Sequence, residues 1–430
     1  VALVLLGLVG YVLYMSGDYF VPFKSPLWLG LVAFLLVVGI ASRIYMTYKP
    51  DVKSIGIALV EYWTLVVLLV AVLAGGVLRY QTLRNSPPLS PSEEAFTTQA
   101  IAVIFESNWK PKSFSQPPLY LYLGAGLTEL AFLQQASASP EAVKSVNPKT
   151  VADYLRYLNL ALGLVSLVLV YITTTKLWGG RREGAIAAFL LATSWLAYQA
   201  TPALLPQTLA ATLAMGSFYF MVRRHARWDW LWVGLLAGLA TAANYGAVLL
   251  ILPAIILVFG QTKVSRRVAL GLGLLGWLVS FTLVVPGWIL SLNDFISGVA
   301  LVKGAAEDAG GYYLKQALSN DTGIVLVFGI ALILAFGLRG EKAKRLWAVL
   351  AFSLAYLVVL NIAGPEISER VALIMPFVAV AATLPVGLAA DRVQIWLDAH
   401  EDHHKWGGGA FALGLVLLIA LISVAVRRFS

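Results

Sequence analysis

The chain has 430 residues, 60% of them hydrophobic and 12% charged, a formal net charge of +9 and a mean hydropathy of +0.81. A soluble globular chain carries about 25% charged residues, so that class is excluded. The short alternating segments of a β-barrel are absent. There is no cysteine, hence no disulfide framework and no reading of redox compartment. The positive charge is dispersed over short turns and is not gathered into a patch, so nucleic acid is not an expected partner.

Apolar runs of about twenty residues, the length that crosses a bilayer as a helix, recur along the chain. They predict an all-α, polytopic membrane protein with about thirteen spans, in three parts: N-terminal spans over 1–79, a long loop over 80–150, and the remaining bundle over 151–430. The run from Val1 to Tyr14 lacks a signal-peptide cleavage pattern and reads as a truncated first span retained as an anchor. Leu27–Ile40 and Ile55–Leu78 follow as the second and third spans, the third ending at Arg79-Tyr80. After the long loop, spans are expected at 151–175, 185–198, 209–222, 230–245, 246–259, 268–292 (broken by Pro286), 323–338, 346–362, 371–389 and 407–426. A polar loop separates Asn293 from Thr322, and an amphipathic stretch covers Asp391–Trp406.

The long loop carries the most chemistry. Pro91-Ser92-Glu93-Glu94 reads as a helix start, because proline and acids suit the free N–H groups and dipole there. Phe96, Ile101, Val103, Ile104 and Phe105 suggest that this helix lies in the membrane surface. Trp109-Lys110-Pro111 and Gln116-Pro117-Pro118-Leu119-Tyr120 form a rigid aromatic turn. Leu119–Phe132 is too short to span and reads as interfacial or re-entrant.

Basic turns at 43–53, 176–182, 223–227, 263–267 and 339–345 fall on one side if every span crosses once, and lysine and arginine mark the cytoplasmic side. The acid-pair loop, the 201–207 turn, the 293–322 loop and the 365–370 turn then converge on the opposite face. Arg427 and Arg428 end on that face as well, against the rule.

The order of these features resembles the GT-C superfamily of integral-membrane glycosyltransferases, nearest to its protein mannosyltransferase and aminoarabinose transferase branch. The resemblance rests on the acid pair, Pro-Pro-Leu-Tyr, Tyr154-Leu155-Arg156-Tyr157-Leu158, Leu177-Trp178-Gly179-Gly180-Arg181-Arg182-Glu183, Leu190-Leu191-Ala192-Thr193-Ser194, Ala203-Leu204-Leu205-Pro206-Gln207 and the run from Gly234 to Pro253. It extends from about Arg79 to Gln261, with a weaker echo from Ser368 to Pro376. It implies transfer of a sugar from a polyprenyl-phosphate donor, a membrane lipid, at an extracytoplasmic face of the plasma or inner membrane. By the same resemblance Glu93 is the base that deprotonates the acceptor and Glu94 assists. Arg370 is the arginine for the donor phosphate, with Lys303, Lys315, Arg79 and Arg84 as looser candidates. Gln116 stands where the family commonly has His or Lys, Tyr120 closes the Pro-Pro-Leu-Tyr turn, and Gln207 stands where a second aspartate is common.

Each feature also has a plain structural reading. The two glutamates can serve as first-turn acids, and Arg370 as a snorkelling interface anchor. His400 and His404 share a helix face with Asp398, Glu401 and Asp402 and read as a solvated surface; no metal ligand set is expected. Glu61 is an acid inside an apolar run, close to its end. Because several family positions are altered together, the alternative is a non-catalytic GT-C scaffold with partner membrane subunits. A transporter would show inverted repeats and charged, broken helices at mid-membrane, and neither pattern is present.

Overall fold

The structure, a computed structural model, describes residues 63–107, 109, 111, 114–138, 146–223, 226–260, 264–304, 311–363, 367–400 and 407–429. Every regular element among them is helical. In chain order they are α1 (Trp63–Arg84), α2 (Pro91–Phe105), α3 (Leu119–Ala138), α4 (Pro148–Trp178), α5 (Arg181–Thr193), α6 (Trp195–Gln199), α7 (Gln207–Arg223) and α8 (Arg227–Ala243). A 3-10 turn (Tyr245–Leu250) leads to α9 (Ile251–Val258), α10 (Arg266–Val284), α11 (Gly287–Leu290), α12 (Leu292–Gly304), α13 (Tyr312–Asn320), α14 (Thr322–Gly337) and α15 (Gly340–Ala363). A second 3-10 turn (Ser368–Leu373) precedes α16 (Met375–His400) and α17 (Gly407–Phe429).

The central element is α4, 31 residues long, or about 46 Å at 1.5 Å per residue. Its sequence fixes both ends. Asn147 caps the start by accepting the Lys149 N–H, Pro148 takes the first helical position, and Gly179 closes the end in the left-handed region at φ 86°. Buried residues run along it from Val151 to Leu177, against α1, α5 and α7.

Lipid supplies no hydrophobic drive between helices, so close approach depends on small residues. A methyl group on Gly234 of α8 would stand 2.0 Å from the Gly273 carbonyl oxygen of α10, and one on Gly276 would stand 2.5 Å from that of Leu231. Gly184 brings α5 onto the Tyr171 carbonyl of α4 in the same way, and Gly323 brings α14 onto Ile419 of α17.

The basic turns at 176–182 and 339–345 and the acid pair lie at opposite ends of α4. Near its C-terminus Arg345 Nη1 donates to the Leu177 carbonyl at 2.6 Å, and Arg182 Nη2 bridges Glu183 and Asp391, each at 2.7 Å. Near its N-terminus Asn159 and Arg156 hold the 201–203 backbone. Arg427 belongs to this second end, its guanidinium 4.0 Å from the Trp195 ring centroid and 3.2 Å from the Tyr198 hydroxyl. Its charge is therefore accommodated by the Trp195 ring and the Tyr198 hydroxyl.

Several expected boundaries move. The span expected to stop at Leu78 and Arg79 continues to Arg84, which puts Arg84 on a helix instead of in the loop. The 185–198 span breaks at Ser194, whose hydroxyl caps α6. The 293–322 loop contains α12 and α13. The 371–389 span and the amphipathic stretch merge into α16, with Pro385 inside it. Against about thirteen expected spans, six described helices are long and apolar enough to cross a membrane. They become seven if α13 and α14, bent by 115°, count as one. The first two expected spans and Glu61 lie outside the described residues, as do the side chains at His400, His403 and His404.

Candidate functional site

The site is built around the turn between α6 and α7. Helix α2 starts with a complete capping box: Glu93 N–H donates to Ser90 Oγ at 3.3 Å, and Ser90 N–H donates to Glu93 Oε2 at 3.0 Å. Ser90 Oγ also donates to Oε2 at 3.1 Å, and Leu204 N–H donates to Oε1 at 3.2 Å. Both Glu93 oxygens are therefore engaged, one within its own helix and one across to the 201–206 turn. Glu94, on the same helical turn, is exposed.

Tyr120 is buried at the start of α3, stacked on Phe96 with ring centroids 5.5 Å apart. Its hydroxyl oxygen accepts the Asn159 side-chain N–H at 3.0 Å. Burial pushes the phenol up, opposed by that hydrogen bond and reinforced by the nearby Glu93 carboxylate. It therefore stays a neutral donor beside the acid. Asn159 Nδ2 also reaches the Ala203 carbonyl at 3.0 Å, and Arg156 Nε donates to Pro202 O at 2.9 Å. One polar seam thus ties α2, α3, α4 and the 201–206 turn.

Arg370 lies on the 3-10 turn that packs against α6 and α7, on the other flank of the same segment. It is half-buried, and its Nε is buried without an acceptor. Tyr356 OH donates to the Arg370 carbonyl at 3.5 Å and accepts from Asn244 Nδ2 at 3.3 Å. Around the turn, Asn159 Oδ1, Thr201 Oγ1 and Gln207 Oε1 are also buried without partners. Native interiors rarely leave such groups unsatisfied, so a cluster of them marks a place where water or a ligand completes the hydrogen bonding.

The remaining expected residues lie in various settings. Gln116 is exposed just before α3, Arg84 is exposed at the end of α1, and Lys315 is exposed on α13. Lys303 is on α12, and its side chain falls outside the described residues. Arg79 is 2% exposed, packed within the bundle against Gly163 of α4. Among the described residues no three acids or histidines gather as metal ligands do.

Two contributors to this end were not singled out from the sequence. Asn159 is a polar residue on a long apolar helix, a signal that was present. Asp321 precedes the apolar run of α14 and reads as that helix's own cap. Instead its carboxylate crosses to Ser194 Oγ at 2.8 Å and to the N–H groups of Trp195 and Leu196 at 2.8 and 3.0 Å.

A helical bundle with a docked first loop and a polar end of this kind is the GT-C architecture, and the chain has that fold. The profile of the dolichyl-phosphate-mannose–protein mannosyltransferase family matches residues 150–290, about a third of the chain. The chain is similar to the Archaeoglobus fulgidus oligosaccharyltransferase tethered to an acceptor peptide, at TM-score 0.58 and 14% identity over 86% of this chain and 55% of that one. It is similar to the same enzyme, AglB, in complex with an inhibitory peptide and a dolichol-phosphate, at TM-score 0.55 and 13% identity over 86% and 55%. It is also similar to ArnT from Cupriavidus metallidurans bound to undecaprenyl phosphate, at TM-score 0.57 and 13% identity over 85% of this chain and 70% of that one. The chain spans about half the length of the oligosaccharyltransferase. No curated protein matches it by sequence.

Proposed function

We propose that the chain transfers a sugar from a polyprenyl-phosphate donor to a lipid, glycan or protein acceptor. The reaction takes place at the acid-pair end, on the extracytoplasmic face of the plasma or inner membrane. The observation that carries this reading is the cluster of unpartnered buried polar groups, Asn159 Oδ1, Thr201 Oγ1, Gln207 Oε1 and Arg370 Nε, around the turn that Glu93 holds. The polyprenyl phosphates bound by two proteins of the same fold support the choice of donor.

In this reaction the acceptor oxygen or nitrogen attacks the anomeric carbon from the side opposite the phosphate. Its proton passes to Glu93, the bond from carbon to phosphate oxygen breaks, and the electron pair leaves on the phosphate. Glu93 is held for this by Ser90 and Leu204, which fix its orientation, and Glu94 adds negative charge beside it. Arg370 offers its unpartnered Nε–H to the departing phosphate. Gln116, Tyr120 and Gln207 are the further substrate- or phosphate-binding residues, and the apolar helix faces hold the prenyl chain.

A specific observation favours a second reading. The hydrogen bonds of Glu93 are those of a cap and a loop anchor, which a non-catalytic scaffold subunit would also keep. The test is turnover of polyprenyl-phosphate-linked sugars by the full chain in lipid. The transferase reading expects turnover that falls about 10²-fold or more in Glu93→Gln. Absence of turnover across hexose and pentose donors, together with co-purifying membrane subunits, would establish the scaffold.

A further inference from the structure

Arg79 is the largest of the fully buried side chains and makes no ion pair among the described residues. Its Nη1 donates to the Gly75 carbonyl of its own helix at 3.1 Å, and its Nε has no acceptor. The bundle is shaped to take it. A methyl group on Gly163 would stand 2.6 Å from Nε, and one on Gly75 would stand 3.0 Å from Nη1. Its electrostatic neighbour is the neutral Tyr198 phenol. Asp321, which also neighbours Tyr198, already receives Ser194 and two backbone N–H groups, with Arg427 beside it.

The guanidinium borders a cavity of about 20 Å³ lined also by Gly163, Ser166, Thr208, Ala211, Ala372 and neighbouring apolar side chains. That is room for one particle of about water size. The Thr208 hydroxyl is buried there without a partner. Ser166 is engaged with Thr212 at 2.7 Å. A cation in a low-dielectric interior is costly unless an opposite charge accompanies it, and a water satisfies donors without supplying charge.

We propose that this cavity binds a monatomic anion, chloride in physiological salt, held by Arg79 Nε–H and the Thr208 hydroxyl. Arg370 does not line this cavity, so the anion site is distinct from the one proposed for the donor phosphate. Its occupancy neutralises the buried arginine and secures α1 to α4 and α7. The inference goes beyond the transferase reading and does not depend on it.

The test replaces chloride with bromide, at constant ionic strength, for crystals of the full chain and for thermal unfolding in detergent. A bromide anomalous peak within contact of Arg79 Nε and Thr208 Oγ1 is expected. The Tm should rise with the logarithm of halide concentration relative to gluconate. That dependence should weaken in Thr208→Val and vanish in Arg79→Gln. If Arg79→Gln does not fold, the wild-type anomalous map and Thr208→Val decide alone. Density without an anomalous signal, and a Tm equal in gluconate and bromide, would show a water and overturn the proposal. A peak without any halide dependence of Tm would mean an adventitious ion only, with the same consequence. Elongated density continuous with a lipid would overturn it in favour of a phosphate.

Discussion

Glu93 accepts three hydrogen bonds before any substrate arrives, and this separates its two roles by experiment. Glu93→Gln keeps a side-chain carbonyl that can accept from Leu204 or Ser90, so stability should change by about 1 kcal/mol or less while turnover collapses. Glu93→Ala loses the anchor and half the capping box together, and should cost about 1–2 kcal/mol as well. Ser90→Ala removes the cap and leaves both carboxylates in place. It should lower stability by about 1 kcal/mol with a smaller effect on rate than Glu93→Gln. Calorimetry of the three variants alongside turnover distinguishes a base from an anchor. At this scale the acid pair and its helix start were legible, because capping is a local pattern. The burial of Arg79 was not, because it depends on Gly163, far along the chain.

At the scale of elements, the tightest constraint is the glycine contact between α8 and α10. Gly276→Ala places a methyl 2.5 Å from Leu231 O and 2.8 Å from Leu235 N, both backbone atoms that cannot swing aside. It should destabilise by about 1–3 kcal/mol. Gly271→Ala, on the same helix with nothing within 4 Å of the added methyl, should be neutral or stabilise by up to about 1 kcal/mol. Thermal unfolding of the pair checks this. Long apolar runs with clear caps, such as α4, were readable from sequence because length and end residues agree. Breaks set by one side chain were not: Ser194 divides an apolar run by capping α6, and nothing in its composition announces it. Helix α13 was hidden in an apparently polar loop because Tyr313 and Ala317 bury against distant elements.

At the scale of the molecule, the two ends of α4 carry opposite chemistry, acids and unpartnered polar groups at one and paired basic turns at the other. The charge rule assigns the basic end to the cytoplasm. The natural absence of cysteine makes this directly testable. A membrane-impermeant maleimide applied to intact cells should label Asn85→Cys, and should label Lys342→Cys only after permeabilisation. The reverse pattern would invert the topology and place the acid pair inside. The GT-C likeness itself was legible in the order of motifs, since order survives when individual positions change. Among the described residues six or seven helices are long and apolar enough to span, because breaks such as the one at Ser194 leave shorter apolar helices between them.

The most direct test of the central claim is a density map of the full chain in lipid with a polyprenyl phosphate added. A phosphate is expected within hydrogen-bond reach of Arg370, beside the 201–207 turn, with a headgroup space opening toward Glu93. A turn closed by its own side chains, with no lipid phosphate at Arg370 under saturating ligand, would contradict it.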